Sequence, residues 1–415
     1  MPERSRAFWL LLRDALIFGV LLAFAGLAFL GVTQGGDFWF DPSDNGWLGG
    51  SLWWVAVTAG AGIVVGLLRR AFRMPEHQAG LIKELQDERV EPSGVPGTVA
   101  VSAVSLVGGA SLGPEQALGS MGGGLGTWVS ERRGDDQDKQ ATTTLTGMSG
   151  AYGGLLSSPF LATMLVLEVA RPGGARFTHA LLGGLVAASV SFAIFYSIAG
   201  ATFLGIYELP SYKFEDWHLL AGIALGFVAA GLAIVLVVAL GLLRRLSAPL
   251  DGRTVLRPAI GGVAFGLVGV AFPLTLFTGS DQLTTVIDDR AALGAGLLVA
   301  VVFAKVLSFA IGMSTGFIGG PFFPMLFIGG TAGIAAHLLV PGLPVALAFS
   351  CLFAALPGAL VAVPFTLVLL AALTTQVGAL QTAPIGLAVL TAYVVVSGSG
   401  LLLSLARRRA PANPA

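Results

Sequence analysis

Ser111-Leu112-Gly113-Pro114-Glu115-Gln116-Ala117-Leu118-Gly119-Ser120, with Gly123 beyond, and Pro321-Phe322-Phe323-Pro324-Met325-Leu326-Phe327-Ile328-Gly329-Gly330, with Gly333 beyond, share one pattern. In each, a proline is followed by glycine five and nine positions later, and the two copies stand 210 positions apart, about half the chain. Proline suits the first turn of a helix, where its missing N–H would be unpaired anyway. Each copy therefore reads as a break in the chain that opens into a helix. The turn before the helix leaves backbone N–H groups free at a terminus carrying about half a positive charge. Both copies lie in apolar sequence, and at membrane depth broken helices are tolerated only where they line a cavity or are buried in protein.

The rest of the chain fits that setting. Of 415 residues, 55% are hydrophobic and only 11% are charged, against about 25% charged in a soluble domain. Apolar runs recur at 15–32, 51–68, 181–198, 219–243, 261–276 and 294–311, followed by a continuous series over 325–405. The long ones reach roughly the 20 residues that cross a bilayer core. The run at 15–32 is too long for a cleaved signal peptide and lacks a small-residue cleavage site. An all-α integral membrane protein is expected, with one transmembrane domain over 1–409. It divides into halves of about 15–200 and 215–405, and a disordered Ala- and Pro-rich tail follows at 410–415. The 58 glycines, clustered as at Gly122-Gly123-Gly124 and Gly329-Gly330, allow close helix packing as well as helix breaks.

Several function classes drop out. Net charge is zero and no basic patch interleaved with aromatics occurs, so no nucleic-acid partner is expected. The single Cys351 gives neither a disulfide nor a thiolate metal site, and His77, His179, His218 and His337 lack ligand spacing. No metal or cofactor is expected. An intramembrane enzyme needs a convergent nucleophile and base, and no histidine pairs with an acid at useful spacing, so the chain does not read as an enzyme. Arginines fall in alternate loops: Arg4, Arg6 and Arg13; Arg69, Arg70 and Arg73; Arg132 and Arg133; Arg171 and Arg176; Arg244 to Arg257; and Arg407 to Arg409. Asp37, Asp41 and Asp44, and later Glu208, Glu215 and Asp216, mark loops of the other side. The positive-inside rule then puts both termini in the cytoplasm of a multi-pass cell-membrane protein.

Two helix N-termini aimed at one point near the membrane midplane hold an anion without any basic side chain. Intramembrane Arg and Lys are scarce here, and an anion held by a full positive charge would leave slowly, whereas conduction needs weak, multi-site binding.

At these segments, and over about 15–407, the chain resembles the CLC family of chloride channels and proton/chloride exchangers. Gly113-Pro114 and the helix after it look like the family's G-(K/R)-E-G-P motif. Gly319-Gly320-Pro321-Phe322-Phe323-Pro324 looks like its G-x-F-x-P motif, with Phe322 at the motif phenylalanine. Thr146 to Ala151, then Ser158-Pro159-Phe160 through Glu168-Val169 to Pro172, is similar to the paired helices that end near the cytoplasm. The resemblance implies a CLC-like inverted-repeat architecture and a homodimer with one pore per subunit. It also places the anion pathway at Ser111, Leu112, Gly113, Pro114, Glu115, Gly320, Pro321, Phe322, Phe323 and Leu401.

Departures from the family pattern bear on mechanism. The gating glutamate falls on Leu112, the internal proton glutamate on Val169, and the late tyrosine near Leu401. The serine of the G-S-G-I-P segment is missing near Gln78-Ala79-Gly80-Leu81, and Pro321 lacks an N–H donor. With both proton-handling carboxylates absent, the leading expectation is a passive anion channel. The alternatives are a proton-coupled anion transporter working through Glu115, or a CLC-like transporter for a different anion.

Three charged residues carry two readings each. Glu115 is a first-turn acid complementing its helix dipole or hydrogen-bonding to backbone, the preferred reading because a carboxylate there competes with a bound anion; otherwise it is a displaced gate or proton carrier. Glu168 is expected to pair locally with Arg171 rather than relay protons. Lys305, mid-run in 294–311, either biases the pathway towards anions or pairs with a carboxylate or helix C-terminus. Phe322 is expected to line the pathway. Residues 76–91 read as an amphipathic cytoplasmic or interfacial helix, and 134–139 as a solvated loop.

Overall fold

In the computed structural model, residues 2–39, 51–76, 80–200, 207–398 and 400 are described. They form sixteen α-helices. The first eight are α1 (Pro2–Trp39), α2 (Trp53–Ala71), α3 (Leu81–Gln86), α4 (Val95–Val107), α5 (Glu115–Arg133), α6 (Gln137–Leu155), α7 (Pro159–Ala170) and α8 (Ala175–Ala199). The second eight are α9 (Trp217–Ser247), α10 (Leu256–Ala271), α11 (Ser280–Asp288), α12 (Arg290–Thr315), α13 (Phe322–Leu339), α14 (Val345–Leu360), α15 (Pro364–Thr375) and α16 (Thr382–Gly398). Seven segments are long and apolar enough to cross a membrane, and α4, α7, α10, α14 and α15 belong to shorter apolar helices. The run 261–276 breaks at Phe272-Pro273, and the series over 325–405 resolves into α13 to α16. The amphipathic helix expected over 76–91 is only the six residues of α3. Its Leu81 and Leu85 are buried, and the Pro92 that follows starts a separate 3-10 turn.

The two series of eight match in order and in packing. α5 lies on α6 as α13 lies on α14; α6 meets α8 as α14 meets α16; α1 meets α8 and α6 as α9 meets α16 and α14. The series join where α2 packs along α10 and where α7 touches α15.

The match corrects the register read from sequence. Helices α5 and α13 begin after Pro114 and Pro321, so Pro321, and not Pro324, is the counterpart of Pro114. The glycines agree with the shifted register. A methyl group added at Gly122 or Gly126 would run into main chain of α6, at Gly147 and Thr143. One added at Gly329 or Gly333 would run into main chain of α14, at Leu352 and Ala348. Gly119 and Gly123 instead face Tyr152 and Met148 side chains. Two glycine pairs, each four residues apart, occur on α5 about one turn from each other, and spacing alone does not say which pair faces its partner helix. Lipid offers no hydrophobic drive for helices to associate, so this backbone-to-backbone approach supplies much of the cohesion. The same device joins the two series, where Gly62 meets the Pro258 main chain and Gly262 meets that of Thr58.

Two arginines fix the end of α12. Arg257 donates to the Ser314 carbonyl at 2.7 Å and is paired with Asp251 at 2.7 Å. Arg69, buried at the end of α2, donates to the Gly316 carbonyl at 3.2 Å and the Pro75 carbonyl at 2.7 Å. Cations at a helix C-terminus satisfy its orphan carbonyls, and here they set where the loop before α13 starts.

Gly329→Val should cost about 1–3 kcal/mol by overpacking. Gly231→Ala, where nothing lies within 4 Å of the added carbon, should cost nothing measurable. Thermal midpoints of the purified protein in detergent would separate the two.

Candidate anion site

The breaks before α5 and α13 lie against each other. The Gly113 N–H donates to the Gly320 carbonyl at 2.8 Å and the Gly320 N–H donates to the Gly113 carbonyl at 2.7 Å, a single antiparallel bridge. Glycine at both positions leaves room for the Glu115 carboxylate, which a side chain at either would displace. Gly319 has the same constraint, since an added carbon would lie 2.5 Å from the Leu112 Cβ. Two helix N-termini, one from each half, are thereby held at one point.

The group at that point is the carboxylate of Glu115. It is 2% exposed, and its Oε1 accepts from the Phe322 N–H at 2.6 Å. The amides of Phe323 and of Glu115 itself also hydrogen-bond the carboxylate. Its Oε2 has no hydrogen-bond partner among the described residues. The preferred reading of Glu115, a first-turn acid bonded to backbone, holds only in part, because it serves the N-terminus of the opposite half as well as its own. A carboxylate received by amides from two helices is chemically an anion bound in an anion site.

The neighbours are mostly apolar and close-packed. Ser111 is fully buried with its Oγ unpartnered, and Leu112 is buried against Gly319 and Gly312. Pro114 and Pro321 cap their helices, and Phe322 and Phe323 are buried in the first turn of α13. Ser111 to Glu115 and Gly320 to Phe323 are thus brought together. Leu401 lies outside the described residues. Tyr152, overlooked in the sequence, is fully buried beneath α5 and donates to the Glu115 carbonyl at 3.0 Å. Its only signal was a lone phenol in the small-residue run Gly147 to Gly154.

Glu168 differs from expectation. Arg171 donates to its main-chain oxygen at 3.3 Å, while the carboxylate accepts from the Phe365 N–H at 3.0 Å and from the Thr366 N–H at 2.7 Å. The Thr366 hydroxyl donates to it too. Glu168 therefore caps α15 of the other half, a long-range contact that local spacing does not reveal. Lys305, fully buried, donates to the carbonyls of Thr275, Leu276 and Phe277 at 3.2, 3.1 and 2.9 Å. Its ammonium lies 4.7 Å from the Phe327 ring centroid. Lys305 thus contacts α13 at Phe327, further along the helix than Phe322. The Phe277 N–H in turn donates to Gly109, at the start of the loop leading to Gly113.

A second buried carboxylate lies in the segment read as an amphipathic helix. Glu84 accepts from Ser120 Oγ at 3.0 Å and Gln116 Nε2 at 3.1 Å, both on α5. Burial pushes the Glu84 carboxyl up to about 7, against these two hydrogen bonds, which favour its charged form.

Residues 61–397 match the sequence profile of the voltage gated chloride channel family. The chain belongs to the CLC family. Relatives of this CLC protein include one from Salmonella paratyphi A, provisionally named ion-transport protein YfeO, 30% identical over 84% of this chain and 85% of its own length. The Escherichia coli protein of the same provisional name is 28% identical over 78% of this chain and 73% of its own. Among solved structures, a slow cyanobacterial Cl-/H+ antiporter superposes with a TM-score of 0.80 at 21% identity, covering 97% of this chain and 99% of that one. A CLC-type fluoride/proton antiporter gives 0.76 at 19% identity, covering 96% and 97%. The CLC assignment fixes a helical, multi-pass membrane protein of an anion-transport family, a family of channels and transporters rather than enzymes.

Lys305→Met keeps the length of the side chain and leaves three buried carbonyls without their donor, at a cost on the order of 3 kcal/mol. The thermal midpoint in detergent should fall well below that of the parent protein, and an unchanged midpoint would show that the ammonium is not needed there.

Proposed function

We propose that this CLC protein conducts anions passively through the junction of α5 and α13, with the Glu115 carboxylate as a plug that must withdraw. The observation carrying the reading is the hydrogen bond from the Phe322 amide to Glu115 across the two halves. The junction already receives one negative oxygen pair, and a small anion of the chloride class would make the same contacts with the same amides once the side chain leaves. Passive conduction, as against coupled exchange, is supported by positions 112 and 169. The resemblance gives carboxylates there, and this chain has Leu112 and Val169, both buried and unable to carry a proton. Among the described residues no full positive charge is bonded to the Glu115 carboxylate, which favours release as well as binding.

The same reading takes the protein to be a homodimer in the cell membrane with both termini cytoplasmic. Exposed Phe160 and Phe365, in the first turns of α7 and α15, and exposed Leu390 and Val394 on α16 offer apolar surface suited to lipid or to a second copy. The arginine-rich loops orient the chain.

Glu115→Gln keeps the size of the plug and removes its charge. Charge-assisted hydrogen bonds are stronger than neutral ones by about 1–2 kcal/mol, so chloride efflux from proteoliposomes should rise on the order of tenfold or more, and Glu115→Ala should raise it too. No proton movement should accompany the flux. If the parent and both folded variants pass no anion down its gradient, the proposal is wrong; proton uptake locked to chloride efflux would replace passive conduction with exchange.

A further inference from the structure

Between the end of α2, α3, α4 and α5 lies a cavity of about 520 Å³. Its rim is exposed and charged, with Arg73, Asp87, Arg89 and Glu91; its floor is buried and includes Glu84, Thr98 and Ser120. This is the side bearing the arginines that follow α2. Glu84 is 8% exposed, and its carboxylate hangs from Ser120 and Gln116. Gln116 follows Glu115 directly and its Oε1 accepts from the Leu81 N–H at 2.5 Å, tying the start of α3 to the first turn of α5. From Ser120 to Glu115 the axial rise is roughly 7.5 Å. The Tyr152 phenol, under that turn, donates to the Glu115 carbonyl at 3.0 Å.

We propose that Glu84 is a second carboxylate of the transport path, whose charge, set by proton exchange with this cavity, governs whether an anion replaces the Glu115 plug. The inference rests on the reading of Glu115 just given. Ionised, Glu84 adds a negative charge on the order of 10 Å from the junction, which opposes an incoming anion by about tenfold at an effective dielectric constant near 20. Neutralised by a proton taken from cavity water, it removes that opposition, and conduction rises as the arginine-rich side turns acidic. Among the described residues the other charged groups around α3 are engaged or exposed: Glu88, one turn further on, is paired with Arg176 at 2.6 Å. Lys83 and Asp87 on the same helix are exposed, as are Arg73 and Arg89, and Arg89 is paired with Glu131 at 2.8 Å and with Glu91 at 3.5 Å. Helix α4 carries no titratable group, Tyr152 on α6 is bonded to main chain, and Glu168 on α7 caps α15.

The test is anion current in patches excised from bacterial spheroplasts expressing the full chain, in both orientations, with pH varied at one face at a time. Acidification at one face should raise the wild-type current about tenfold through the neutral range. Glu84→Gln should hold that raised level at every pH on that face. Ser120→Ala, which removes one hydrogen bond to the ionised carboxylate, should shift the half-maximal pH upward by about one unit, a change that a merely structural role would not produce. Current in Glu84→Gln that still follows the wild-type pH curve, or that stays at the low neutral level, overturns the inference. If Glu84→Gln does not fold, an unmoved midpoint in Ser120→Ala overturns it alone. Should Glu115→Gln leave the current unchanged, the plug reading falls; should it raise the current while both other variants behave as wild type, only the role of Glu84 falls.

Discussion

A negative group at the meeting of two helix N-termini is the interaction on which this protein is organised. Each terminus presents unpaired amides and about half a positive charge, and two of them brought together without a partner would repel and leave buried donors unsatisfied. The bridge between Gly113 and Gly320 takes one amide from each half, and the Glu115 carboxylate takes those of Phe322, Phe323 and its own residue. The negative group that completes the junction in this structure is carried by the chain itself.

The rest of the architecture serves to hold those termini in place. Glycines at 122, 126, 329 and 333 let α6 and α14 approach the backbones of the two half-site helices. Arg69 and Arg257 pin the end of α12 before the second break, and Lys305 gathers the carbonyls of 275–277, whose chain bonds to Gly109 ahead of the first. Formal positive charge is thus spent on main-chain carbonyls, while the anion site itself is made from neutral amides. A junction of that kind suits the proposed conduction, because dipoles bind an anion without trapping it.

The carboxylates show how burial changes what an acid does. Glu168 is consumed in capping α15, a role that joins the two halves. Glu115 places its carboxylate where an amide of the other half receives it. Glu84, beneath a charged rim, lies in the floor of a cavity and is bonded to α5. Three acids of the same class thus take three roles according to what each one faces.

Sequence alone determined the membrane character, the helical class, the presence of two broken segments related by an internal repeat, and the family. The first three follow from composition, run length and the positions of Pro and Gly, all of which act locally on the backbone, and the family from the likeness of the motifs at 113–114, 146–172 and 319–324. Only the tertiary structure decided the register of the repeat, since glycine pairs one turn apart look alike until a partner helix selects one. It also decided that Glu115 reaches across to α13, that Glu168 caps α15 rather than pairing with Arg171, and that Glu84 is buried rather than solvated. Each of these depends on contacts between residues more than thirty positions apart, and the nature of an acid's neighbours at that distance is set by packing, which no local pattern encodes.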